Sequence, residues 1–269
     1  MAEDGARTPH QHHMAENINL ILYSLAGGFL PPLIWLWFWR REDRAHPEPT
    51  RLVLRVFLAG AVSVALAYFF ERLVCDLGWF NAACGELSQA SWLAMSVQTK
   101  TLLLVWAGIE EVLKLLAAYL IIFHQAAFDE PVDAMIYLIT AALGFAALEN
   151  SLFLFHAMTE IGPAAFLLTG NLRFLGANVI HVVSSAFVGG MMALAFCFPG
   201  LKRFFYMIAG LITAILLHAL FNFLIIISSG NQIFKILSLL WLLAILVILM
   251  FEKVKTVVCL PQTNKAKRV

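Results

Sequence analysis

Seven stretches of this chain are apolar over a length that crosses a lipid bilayer, and no other feature limits the fold as strongly. They run at Ile18 to Trp39, Leu52 to Phe70, Thr101 to Phe123, Ala134 to His156, Phe174 to Phe198, Phe204 to Ile227 and Ile233 to Phe251. A span needs about 20 mostly apolar residues, and in lipid only a helix satisfies its own backbone without a partner strand. Seven spans leave little of the 269 residues for anything else. Composition agrees, with 61% hydrophobic residues, 13% charged and a mean hydropathy of +0.84, where soluble domains carry about a quarter charged. The fold class is therefore all-α, a polytopic membrane helix bundle of about seven transmembrane helices. A net charge of +1 offers no nucleic-acid-binding surface.

The ends are polar. Residues 1–16, with His10, His12 and His13, read as a disordered tail, and the His cluster has the composition of a metal-sequestering tract. Residues 17–252 read as the membrane domain, with a catalytic core at about 101–228, and 253–269 as a basic tail. The Pro31-Pro32 pair predicts a kink or interruption in the first span. Residues 71–100 are mixed in character and read as an ordered loop with a short interfacial helix around Trp92. Lys and Arg remain preferentially on the cytoplasmic side. Alternate loops put twelve of them on one side, including Arg40, Arg41, Arg51, Lys202, Arg203 and Lys255, and five on the other, including Arg72 and Arg173. That bias predicts an outside N-terminus and a cytoplasmic C-terminus. Cys75 and Cys84 then share an external loop, where they either form a disulfide or are two unrelated small residues. Cys197 and Cys259 fall at cytoplasmic ends and read as free thiols.

Ionisable groups at mid-membrane cost about 2.5–3.5 kcal/mol each on insertion scales and mark functional sites by default. Six stand out: Glu110, Glu111 and Lys114 in the third span, Glu149 in the fourth, His181 in the fifth and His218 in the sixth. Glu110 lies about nine residues from the outer end of its span, roughly 14 Å at 1.5 Å per residue. Glu149 and His181 lie about seven residues from the same face, and His218 about nine. Four helices can thus aim carboxylates and imidazoles at one level in the outer half of the bilayer. Lys114 is i,i+4 from Glu110 and i,i+3 from Glu111, so it can pair with either. The two glutamates differ by about 100° around the helix, so one faces the centre and the other pairs or caps. Asn222 shares a face with His218. Each group alone would also fit a structural clasp or an interhelical hydrogen bond. His124 and His156 lie at span ends and read as interfacial.

Two imidazoles and a carboxylate suit a catalytic zinc with an open position. In that reading Glu149, His181 and His218 are ligands and Glu110 or Glu111 is the general base. A metal-free form is also coherent, with a buried glutamate activating water while His and Asn222 stabilise the oxyanion. Ser184 and Ser185 lack a nucleophile-elbow context. Two other classes use similar residues: a proton-coupled transporter, which predicts inverted repeats and paired broken helices, and a non-catalytic scaffold.

Glu110-Glu111-x-x-Lys114, Phe145-x-x-x-Glu149-Asn150, His181-x-x-x-Ser185 and His218-x-x-x-Asn222, in that order on consecutive spans, resemble the PrsW family of intramembrane proteases. That family is distantly similar to the CAAX-prenyl endopeptidase and bacteriocin-processing group, whose second motif carries a His where this chain has Glu149. The resemblance covers about Leu104 to Leu224. It implies a glutamate-dependent, metal-associated peptidase of a bacterial plasma membrane, with Glu110, Glu111 and His181 essential. It also implies membrane-anchored substrates, such as single-span anti-sigma factors, cut on the extracytoplasmic side.

Overall fold

The computed structural model describes residues 9–43, 46–78, 80–86, 96–228 and 230–259. Its helices are α1 (Pro9–Glu42), α2 (Thr50–Asp76), α3 (Asn81–Glu86), α4 (Val97–Ile122), α5 (Pro131–Glu160), α6 (Pro163–Leu172), α7 (Asn178–Leu194), α8 (Gly200–Ile227) and α9 (Asn231–Val254). A π-helical turn, Arg173–Ala177, joins α6 to α7, so that the two form one continuous rod. Six elements are long and apolar enough to cross a membrane among the described residues: α1, α2, α5, the α6–α7 rod, α8 and α9. The remaining long helix, α4, carries three charges in its middle and packs against α2, α5 and α8. The protein is an integral, multi-pass helical bundle.

Helix α5 is the axis. It is buried on every face from Val132 to Ala147, with α1, α2 and α7 around it. A helix apolar all round belongs inside a bundle, and what lets its neighbours approach is small residues. A Cβ on Gly144 would meet the Phe57 carbonyl oxygen at 1.9 Å, and one on Gly60 would meet that of Ala141 at 2.0 Å. The backbones of α2 and α5 are in direct contact at these two points, a packing that in lipid stands in for the missing hydrophobic drive.

Several expectations are corrected by these elements. The first helix runs through Pro31-Pro32 without interruption, because a membrane helix packed along a neighbour tolerates proline. It also begins at Pro9, inside the segment read as a tail. The short helix of the 71–100 segment falls at Asn81–Glu86, and Trp92 lies outside the described residues. Cys75 is joined to Cys84. Cys197 and Cys259, expected as free thiols, are joined to each other. Sixty-two residues separate them, and only the antiparallel return of α8 and α9 brings them to the same end of the bundle. His124 and His156 are exposed at helix ends.

At the end of the bundle where α1 leads into α2, Asp43 is buried, and its Oδ2 has no hydrogen-bond partner. Burial, followed by the Asp133 and Glu130 carboxylates, pushes its pKa from 3.8 up to about 6. The folded protein therefore holds this proton more tightly than the unfolded chain, and stability drains away as pH rises from about 4 through 6. Asp43→Asn should flatten that dependence and raise stability at pH 7, read as unfolding midpoints in detergent between pH 4 and 8. Gly144→Val, which forces α2 and α5 apart, should cost about 1–3 kcal/mol in the same assay, and an unchanged midpoint would show that the contact is slack.

Candidate active site

The residues that the membrane should exclude converge. Lys114 is completely buried on α4, and an ammonium there needs partners on every side. Its Nζ donates to Glu111 Oε1 at 2.6 Å and to His181 Nδ1 at 2.9 Å, and lies 3.7 Å from Glu110 Oε2. It also sits 4.9 Å from the centre of the Phe145 ring, and Phe145 in turn packs against the imidazole of His181. The aromatic residue of the Phe145-x-x-x-Glu149 pattern is thus the floor under the cation and one histidine.

The two adjacent glutamates divide as the helical geometry requires. Glu111 is the knot of a network: besides Lys114, its Oε1 accepts from Ser184 at 2.9 Å and from His218 Nδ1 at 2.8 Å. Glu110 points into the centre. Its Oε2 is buried, accepts no hydrogen bond, and lies 3.8 Å from His218 Nε2 and 4.0 Å from His181 Nδ1.

Each histidine has one ring nitrogen held by a carboxylate and the other facing the centre, where His181 Nδ1 accepts from Lys114. His181 Nε2 donates to Glu149 Oε2 at 2.9 Å, which leaves Nδ1 as the acceptor. His218 Nδ1 donates to Glu111, which leaves Nε2. A carboxylate behind each imidazole fixes its tautomer, the arrangement metal-binding histidines characteristically have. Donor atoms of Glu110, His181 and His218 lie within 4.8 Å of one another, the one such group among the described residues. An unpartnered buried carboxylate oxygen beside the free His218 Nε2, with His181 Nδ1 joining them once it gives up its bond to Lys114, is a donor set that a divalent ion completes, so the residues fit a metal.

Glu149 is placed behind His181 rather than among those converging donors. Its Oε2 accepts from Arg173 Nη2 as well as from His181. Asn222 is half-buried one turn beyond His218 and makes no hydrogen bond among the described residues. Ser184 serves Glu111 and is not poised as a nucleophile.

Arg173 is the residue that sequence reasoning missed, since it was assigned to an outer loop. It opens the π turn, and its guanidinium bonds both Glu149 and Asn150 while lying 4.0 Å from the Phe153 ring. Asn150 passes the chain of bonds to Asn178, the first residue of α7, at 2.8 Å. A π turn inserts a residue into the helical repeat and is a frequent mark of functional sites. Here it separates Arg173, which reaches back to α5, from His181, which faces the centre. A charge tally would have found it: three intramembrane glutamates against one lysine leave a demand for a second cation.

The bundle and its centre define a class, a polytopic membrane protein with a buried carboxylate–imidazole site suited to hydrolysis within the bilayer. Residues 48–251 match the model of the PrsW family of intramembrane metalloproteases, and the chain belongs to that family. It is similar to Protease PrsW of Geobacillus kaustophilus, 26% identical over 206 residues that cover 76% of this chain and 81% of the relative. It resembles Protease PrsW of Clostridioides difficile at 27% identity, over 78% of this chain and 82% of that protein. Protease PrsW of Bacillus subtilis is 26% identical over 79% and 87% respectively. No solved structure matches the chain. The family is one of peptidases, which sets the transporter and scaffold readings aside.

Arg173 and Glu149 should be coupled. In a double-mutant cycle of Arg173→Gln and Glu149→Gln, the interaction energy should be about 0.5–3 kcal/mol, read from unfolding in detergent, and strictly additive effects would break the pairing.

Proposed function

We propose that the protein hydrolyses peptide bonds of membrane-anchored proteins at the Glu110–His181–His218 centre. The observation that carries this reading is Glu110 Oε2, a buried carboxylate oxygen with no partner between two imidazole nitrogens whose opposite sides are each held by a carboxylate. We assign the metal donors as Glu110 Oε2, His181 Nδ1 and His218 Nε2, so that Glu149, first expected as a ligand, acts instead through His181. A divalent ion held there, zinc being the natural candidate for two nitrogens and an oxygen, supplies Lewis acidity toward water and a scissile carbonyl.

The chain's own groups do the rest. Glu111 has a second buried oxygen, Oε2, without a partner, and it is the remaining acceptor for a proton released from water. Lys114 balances the two α4 carboxylates and is the positive charge nearest the centre on which an oxyanion can draw. Asn222, on the same face as His218, is a further donor for that oxyanion. Single-span proteins of the anti-sigma-factor kind are the substrate class proposed, with cleavage on the outer side and the C-terminus in the cytoplasm of a bacterial cell.

One observation favours a metal-free glutamate mechanism as a second reading. Lys114 Nζ already occupies the His181 Nδ1 lone pair, and in that state Glu110 is the base. Chelation separates the two. Purified protein in detergent, incubated with a panel of single-span peptides, should lose cleavage on chelator treatment and regain it with zinc; unaltered cleavage selects the glutamate mechanism. Glu110→Ala, His181→Ala and His218→Ala should each reduce cleavage by at least about 100-fold, the usual scale for losing a general base or ligand, without loss of folded protein. Full activity in all three variants removes this centre from the reaction.

A further inference from the structure

A second cavity, of about 270 Å³, lies between the last turn of α4, the end of α7 and the first turns of α8. Tyr119 and Phe123 line it as a stacked pair with centroids 4.5 Å apart, and Phe128 and Phe196 meet edge to face across it at 5.7 Å. Tyr119 is nine residues along α4 from Glu110, about 14 Å at 1.5 Å per residue, so this space is separate from the active site.

One wall is charged. Arg203 lines the cavity with its guanidinium 4.9 Å from the Phe196 ring, and its Nη2 donates to the Phe196 carbonyl. Its Nε is buried and has no hydrogen-bond partner, and no carboxylate pairs with the guanidinium among the described residues. Of the two carboxylates that follow Phe128, Glu130 is engaged by His46, and Asp129 forms no ion pair with Arg203 among the described residues. A partly buried cation with an idle donor lacks a counterion among the described residues, which leaves room for one from outside the chain.

Two features point to where it comes from. Leu120, Leu201 and Phe205, each next in sequence to a lining residue, are exposed apolar side chains, which in a membrane protein face lipid. Lys202 stands beside Arg203, its Nζ 3.4 Å from the Phe198 ring centre. Basic pockets between helices at a membrane face are the form that recognition of anionic headgroups takes.

We propose that this cavity binds one anionic phospholipid, with an acyl chain among the aromatic rings and the phosphate paired with Arg203. The proposal does not depend on the peptidase reading. The test uses the full chain in nonionic detergent, with phosphatidylglycerol, phosphatidylcholine of the same acyl chains, and inorganic phosphate as probes. Retained lipid is counted by native mass spectrometry. Wild type should hold one phosphatidylglycerol per chain, Arg203→Gln should bind it at least tenfold more weakly, and Lys235→Gln, an exposed basic residue on α9, should match wild type. Equal retention of phosphatidylcholine, displacement of the lipid by phosphate at equal concentration, or undiminished binding by Arg203→Gln each overturns the proposal. If Arg203→Gln does not fold, the two competitions on wild type decide it.

Discussion

Lys114 is a full positive charge with no solvent exposure, in a helix that would otherwise be apolar, and the arrangement of the bundle answers it. An isolated ammonium in such surroundings carries a penalty of several kcal/mol, and three helices contribute to its coordination: Glu111 from α4 itself, His181 from α7, and the Phe145 face from α5. Glu111 then recruits Ser184 and His218, which draws in α8. Four helices are tied together by one need for charge compensation. The same network that makes α4 compatible with lipid also points Glu110 at the centre, because a carboxylate 100° away on the helix cannot share Glu111's partners.

A hydrophobic bundle alone would not hold such a network in register. The positions of the polar atoms are set by α5, whose contact with α2 through Gly60 and Gly144 leaves no room for sliding. Phe145, adjacent to Gly144, is thereby fixed under Lys114, and Glu149 one turn on is fixed behind His181. Close backbone packing and fixed hydrogen bonds are complementary here: the first excludes alternative registers, and the second punishes any that remain with an unpaired buried charge.

Much of this was legible in the sequence for a definite reason. Ionisable residues are so disfavoured at membrane depth that four of them, one on each of four spans, can be placed at one level by counting from span ends alone, and their convergence followed from that count. The division of labour between Glu110 and Glu111 was half legible: helical periodicity said they must differ, but which one faces inward depends on the rotation of α4 against α8, which no spacing encodes. Glu149 was expected among the ligands because its depth was right. What depth could not reveal was Arg173, which lies on a rod reaching back to Pro163 and which the π turn directs toward α5. The Cys197–Cys259 bond was illegible for a similar reason, since it depends on where two long helices end relative to each other.

That bond changes the connectivity of the molecule. It closes a covalent ring from Cys197 to Cys259 that contains the whole of α8 and α9, and with them His218. A single break in the connection between α8 and α9 would leave both pieces attached to the rest of the chain, one through the peptide backbone and the other through sulfur. The helix that delivers the second imidazole is in this sense anchored twice, and once the bond has formed the chain unfolds to a closed loop rather than a free end.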